Sequence, residues 1–291
     1  MRIILFACLT MLITACTKDN NAGTGDDVLV PVTVRVNGYA VSQDDMPGTR
    51  ATSAGSYDAV KVLTLAFFKS DGTEQCRLTQ VKGDNTTYTT FGDFTVNLPL
   101  GSYTMVVIGR DNFDGDVLAL TSPTEAEYTS ERVRETFSAT KDFTVSDNEG
   151  VNLSMTLNRV VAKVVVVSTD ARTANVQNIR TTFSAGGKGF NPTSGLATAN
   201  TGFSNVVKGA GTTGNTTTAT NFLFLASDEQ KVNITVETLD ADGNTITSTV
   251  VPDVPLKRNR VTTLTGKMYS ADATSTFTLN ADWLDGNSVN F

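Results

Sequence analysis

Valine stands at positions 28, 30, 32, 34 and 36 of this chain, with Leu29, Pro31, Thr33 and Arg35 between them. Successive side chains of a β-strand point to opposite faces, so the five valines share one face and the intervening residues take the other. The same period of two, or a run of β-branched residues, recurs between turn signals along almost the whole sequence. Val60 to Phe68 runs into Lys69-Ser70-Asp71-Gly72, and Glu74 to Val81 returns as the second arm of a hairpin. Phe91 to Leu98 and Ser102 to Gly109 flank Pro99-Leu100-Gly101, and Phe143 to Val145 and Val151 to Leu157 come next. A second set opens with Val160 to Val167 and continues through Thr181 to Ser184, Phe222 to Ala226, Lys231 to Leu239 and Thr245 to Val251. The chain therefore reads as all-β, in two sandwiches of roughly a hundred residues each, which is ordinary for that class. The boundary falls near Leu157-Asn158.

Three local signals refine this reading. Ser122-Pro123-Thr124-Glu125 combines an N-cap residue, a proline at the first position and a carboxylate at the third, and predicts one helix over residues 126–137. Pro31 cannot donate a ladder hydrogen bond, which predicts that the valine strand lies at a sheet edge. The low-complexity run from Gly209 to Thr220 reads as an exposed loop.

The chain opens Met1-Arg2, continues with the short apolar run Ile3 to Ile13, and reaches Thr14-Ala15-Cys16. A positive residue, a short apolar core and a small residue before the processing point describe a secretory signal over residues 1–15. The apolar core is too short for a membrane-spanning helix. Ile13-Thr14-Ala15-Cys16 looks like a bacterial lipobox, with Cys16 the lipidated first residue of the exported chain. Thr17, where an Asp would signal inner-membrane retention, directs the expectation to the outer membrane. Cys76, inside a strand-like run, reads as a small apolar filler.

Composition excludes more chemistry than it suggests. The net charge is −7 and the isoelectric point near 4.7, with no basic cluster, so a nucleic-acid partner is not expected. The sequence has no histidine. That removes Ser-His-Asp and Cys-His nucleophilic machinery and the usual zinc ligands together. Gly209-Ala210-Gly211-Thr212-Thr213-Gly214 matches Gly-x-Gly-x-x-Gly, but Asn215 to Thr218 is a poor helix start, and a dinucleotide site needs one. Asp111 to Asp116 gathers carboxylates without the ligand spacing of an EF-hand, and reads as a solvated turn. Paired carboxylates of a hydrolase are formally open, yet no spacing singles out a pair. No enzyme, metal or cofactor is expected.

Between the valine strand and the next run lies Asp44 to Gly55, made of small, flexible and acidic residues around a single Arg50. A cut at Arg50-Ala51 would free the strand holding Val28, Val30, Val32, Val34 and Val36. At the far end of the chain, Phe277, Leu279, Ala281 and Trp283 alternate with polar residues, and Val289 and Phe291 come after an Asp285-Gly286 turn. Loss of the first strand exposes an apolar groove and unpaired edge hydrogen bonds, a template for a strand from another chain. Burial of four or five apolar side chains at about 1.5–3 kcal/mol each gives a gross driving force of order 10 kcal/mol. A head-to-tail contact of this kind does not close, and builds a filament.

Together these features resemble a Bacteroides-type fimbrillin, a subunit of type V pili. The resemblance rests on the Cys16 lipobox, the Arg50 loop, Leu98-Pro99-Leu100-Gly101-Ser102-Tyr103 and Leu157-Asn158-Arg159-Val160-Val161-Ala162-Lys163. It rests also on Val254 to Gly266 and the terminal Asp282-Trp283, and on the order of these runs along the chain. It implies two transthyretin-like β-sandwich domains, residues 51–157 and 158–291, after a lipidated pro-segment, residues 16–50. It further implies palmitate and an outer-membrane anchor at Cys16, cleavage by an arginine-specific protease at Arg50-Ala51, and head-to-tail partners that are other copies or related pilus subunits. The donor strand falls within Thr274 to Phe291. A stalk subunit fits the Arg50 loop best; a tip or anchor subunit and a surface glycan-binding lipoprotein are the alternatives.

Overall fold

The computed structural model describes residues 28–40, 55, 57–84, 86–112, 117–130, 132–146, 149–209, 211–270 and 278–280. Strands dominate it, and no helix occurs among the described residues. The first half contains β1 (Leu29–Ala40), β2 (Val62–Lys69), β3 (Glu74–Val81), β4 (Asp93–Pro99), β5 (Gly101–Arg110), β6 (Leu118–Ser122), β7 (Glu125–Tyr128), β8 (Thr136–Val145) and β9 (Val151–Arg159). The second contains β10 (Ala162–Ser168), β11 (Asn178–Phe183), β12 (Gly189–Phe190), β13 (Phe203–Lys208), β14 (Thr218–Leu223), β15 (Glu229–Leu239), β16 (Thr245–Lys257), β17 (Val261–Gly266) and β18 (Thr278–Asn280).

A seven-stranded sheet runs in the order β3-β2-β5-β8-β9-β1-β4. Its β8–β9 junction is held by only two residue pairs, Phe137 with Arg159 and Ser138 with Asn158. The sheet folds over there, because Leu63, Leu65, Phe67, Met105 and Val107 from one part share a core with the β1 valines, Val96 and Leu157 from the other. Cys76 is buried in this core. In the second half, the sheets β14-β10-β17-β18 and β13-β11-β15-β16 enclose a core around Val164, Val166, Ile179, Ile234, Leu256 and Leu264.

A third core joins the two. Ala66, Phe68, Val106 and Ile108, on the outer faces of β2 and β5, pack against Tyr128, Val160, Val161, Phe190 and Phe224. The rings of Phe190 and Phe224 stack at 4.4 Å and 14°, and β12 extends the small sheet β12-β7-β6 from one half to the other. Residues of β2 are thus buried on both faces, which is why Val62 to Phe68 reads as an almost continuous apolar run rather than an alternation.

Two expectations are corrected. The predicted helix over 126–137 does not form: Leu118–Ser122 and Glu125–Tyr128 pair as an antiparallel hairpin. The Ser122 hydroxyl accepts a hydrogen bond from the Thr124 amide at 3.2 Å, the same local bond an N-cap makes, spent here on a tight turn. Burial then decides, since Ala126 and Tyr128 alternate inward while Glu125 and Glu127 face solvent. The valine strand is also not at an edge. β1 pairs antiparallel with β4 and parallel with β9. Pro31 is tolerated because the β9 pairing starts one residue later, at Val32 opposite Val151, so β1 has a partner on one side only at the proline.

Candidate strand-exchange site

β1 is the middle strand of the layer β9-β1-β4, hydrogen-bonded on both sides. Val30, Val32, Val34 and Val36 are all buried, while Pro31 and Arg35 are exposed. Val28, expected on the same face, lies before the strand and is 44% exposed, because no described strand covers that end. Burial of four valine side chains is worth about 6–12 kcal/mol before ordering costs, comparable to the whole net stability of a typical domain. Arg35 Nε and Asp93 Oδ1 pair at 3.0 Å across to β4, but Arg35 is exposed and Asp93 only half-buried, and such a pair contributes little.

At its far end β1 changes register. Val36 faces Met155 and Gly38 faces Thr156, so Asn37 is extra. This bulge brings Tyr39, three residues after Val36, onto the buried face. The Tyr39 ring lies 5.0 Å from Phe137 and 5.4 Å from Tyr57, and those two rings meet edge-on at 5.4 Å. Beyond them is a polar clamp. Tyr57 donates to Glu135 Oε1 at 2.9 Å, Arg159 Nε donates to the same oxygen at 2.7 Å, and Arg159 Nη2 donates to the Tyr57 hydroxyl at 2.8 Å. Arg159 Nη1 reaches Asn259 Oδ1 in the second half at 2.9 Å, and its guanidinium lies over Phe137. Burial, reinforced by the Glu135 charge and opposed by Arg159, pushes the Tyr57 phenol up to about 12. Burial, with Tyr57 adding to it, raises the Tyr39 phenol further.

Tyr39 and Tyr57, whose rings are in contact, stand in sequence on either side of Arg50 and Ala51. Both of those residues lie outside the described residues, as does Cys16. Of the expected donor residues, Leu279 lies in β18, where its backbone pairs with Leu264 of β17. Phe277, Ala281, Trp283, Val289 and Phe291 lie outside the described residues. The root of this segment is tied down by Asp170, whose carboxylate accepts from the amides of Met268, Tyr269 and Ser270 at 2.7–2.9 Å. Burial pushes the Asp170 carboxyl up, but these donors outweigh it and hold it below the usual carboxylate range.

A group lowered in the folded state contributes stability above its unfolded value, near 4, and loses it as pH falls through the folded value. Asp170→Asn is therefore expected to cost about 1 kcal/mol at neutral pH, a magnitude reduced by the site's partial exposure. The gap from wild type should close below about pH 4 in thermal melts. A gap that is constant with pH would show that the charge plays no part.

The other sequence features resolve into structure. The Gly209–Gly214 run joins β13 to β14, strand to strand, where Arg172 Nη1 donates to Gly211 O at 3.1 Å and Gly214 N donates to Arg172 O at 2.9 Å. Asp111 pairs with Lys61 at 3.7 Å, and residues 113–116 lie outside the described set. A polar cleft at the junction of the halves is lined by Ser138, Arg159, Asp228, Glu229, Lys257 and Arg258. Two pairs close within it, Lys257–Glu229 and Arg258–Asp228, each at 2.6 Å, and none of its described lining residues is aromatic. Sequence reasoning missed Tyr39, Tyr57 and Glu135. It reached Arg159 only inside the run Leu157 to Lys163, with no role attached.

Solved structures share this fold. The fimbrial anchor protein Mfa2 of Porphyromonas gingivalis matches with a TM-score of 0.51 at 13% identity, over 87% of this chain and 98% of that one. Two adhesin candidates from Bacteroides ovatus match with TM-scores of 0.50 and 0.51, at 12% and 10% identity. The first covers 77% of this chain and 83% of its own, the second 82% and 89%. Identities this low establish a common fold and nothing finer. No curated protein matches the sequence. One family model, described as a family of unknown function (DUF6562), matches residues 31–288.

Proposed function

The chain belongs to the DUF6562 family, and we propose that it is a structural subunit of a cell-surface fimbria, assembled head to tail by strand exchange. The single observation that supports this most is the seat of β1. An N-terminal strand fills the middle of a three-stranded layer, hydrogen-bonded on both sides, and leads into the Arg50 segment. A strand so placed cannot leave without a replacement, since its departure opens two sheet edges and an apolar groove at once. The replacement is the alternating C-terminal segment, residues 274–291, of another copy or of a related subunit. Residues 51–157 and 158–291 act as the two sandwich units, and residues 16–50 as a pro-segment held at the outer membrane through lipid on Cys16 until an arginine-specific protease cuts at Arg50-Ala51. The likeness in fold to the anchor Mfa2 and to adhesin candidates suits a surface role and does not distinguish stalk from tip or anchor.

The test is direct. Purified precursor, residues 17–291, is treated with an arginine-specific protease, its intact mass is read, and the product is run on an unheated denaturing gel. A single cut at Arg50 and then a heat-sensitive ladder are expected, and Arg50→Ala should yield neither. A cut chain that stays monomeric would point instead to an anchor, a tip subunit or a glycan-binding surface lipoprotein.

A further inference from the structure

Tyr39 is fully buried, yet its hydroxyl has no hydrogen-bond partner among the described residues. The reason is local. The nearest phenol, Tyr57, is already committed, donating to Glu135 and accepting from Arg159. The other ring against Tyr39 is Phe137, which offers no polar atom. A buried hydroxyl left unpaired costs free energy that the same group recovers in water. The aromatic ring fits the seat, with two tilted ring contacts near 5 Å, and the oxygen does not.

We propose that the pocket formed by Tyr57 and Phe137, braced by Glu135 and Arg159, is an aromatic socket that selects the strand occupying the groove, and that Tyr39 makes β1 a deliberately poor occupant of it. The inference rests on the strand-exchange reading above and adds to it the position at which the incoming strand is read. Four valine-sized positions in β1 recognise only alternation, which many strands possess. The socket, set off by the bulge at Asn37, asks for one ring at one place. The occupant is the 274–291 segment of a second copy, which offers Phe277, Trp283 and Phe291 at its apolar positions. None of these brings a phenolic oxygen into the socket. The exchange then runs from a strand with an unpaired buried hydroxyl to one without it, while the Arg159 bond to Asn259 ties the socket wall to the second half.

The test tracks displacement in the cut precursor. Wild-type, Tyr39→Phe and Tyr39→Ala precursors are cut at Arg50 and mixed with excess synthetic peptide of residues 274–291. Loss of the 17–50 fragment is monitored by native mass spectrometry. Removal of the oxygen alone should slow displacement about tenfold, and removal of the ring should speed it by at least as much. Peptides carrying Phe277→Ala, Trp283→Ala or Phe291→Ala identify the ring, one of them displacing markedly more slowly than the parent peptide. Displacement of the Tyr39→Phe fragment at the wild-type rate, or three peptide variants that all act like the parent, overturns the socket and leaves strand exchange standing. Retention of the 17–50 fragment in every variant overturns both.

Discussion

Chain terminated after Ser270 is expected to fold as a stable monomer, to be cut at Arg50 like the full-length protein, and to form no polymer at all. The second core supports the expected folding. Its residues, from Ala162 to Tyr269, lie before the truncation, and Asp170, which is retained, bonds the amides of Met268, Tyr269 and Ser270. Only β18, three residues paired to the outer side of β17, is lost among the described elements. The failure to polymerise comes from the strand-exchange reading, in which the deleted residues are the only donor. Circular dichroism reads the folding and an unheated gel the assembly. Polymers from the truncated chain would remove the C-terminal segment from the assembly step, and an unfolded product would show that the segment belongs to its own subunit's core.

The second large effect is expected at Val34. It is fully buried at the middle of β1, between Phe94 on β4 and Leu153 on β9. Val34→Asp places an unpaired carboxyl in the first core and should cost about 4 kcal/mol or more, enough to leave much of the precursor unfolded. Val34→Ala should cost about 2 kcal/mol, from lost transfer free energy and a residual cavity. Both costs apply only while β1 occupies its own seat. Fibres made from the Val34→Ala protein should therefore melt like wild-type fibres although the precursor melts earlier. Equal losses in precursor and fibre would mean that β1 never leaves, and no loss in the precursor would mean that β1 is not part of the core.

What the sequence disclosed and what it hid divide along a physical line. Period-two runs such as Val30 to Val36 and Val232 to Val236 report which face is buried, because each side chain's direction is set by its neighbours in sequence. The all-β architecture comes from many such runs. Strand order is a different kind of information. Pro31 argued for an edge, and only the staggered start of β9 at Val151, more than a hundred residues away, permits the proline inside a sheet. The helix expected after Ser122 failed for a related reason: capping chemistry and turn chemistry use the same side-chain bond to the same amide, and the inward alternation of Ala126 and Tyr128 settles which is made. The aromatic socket was hidden most completely. Tyr39, Tyr57, Phe137 and Arg159 come from four separated places, and the bulge that aims Tyr39 inward breaks the very period by which the strand was read.

The arrangement of β1 between an antiparallel and a parallel neighbour also sets how the layer bears a pull. Hydrogen bonds to β4 and β9 run across the strand. A force along its axis therefore strains both rows together instead of opening them one pair at a time. Forced separation is governed by the rate of crossing that single large barrier. Whichever strand lies in that seat is held best against tension along its own length, and a chain of such joints would yield to peeling from the side long before it parted end from end.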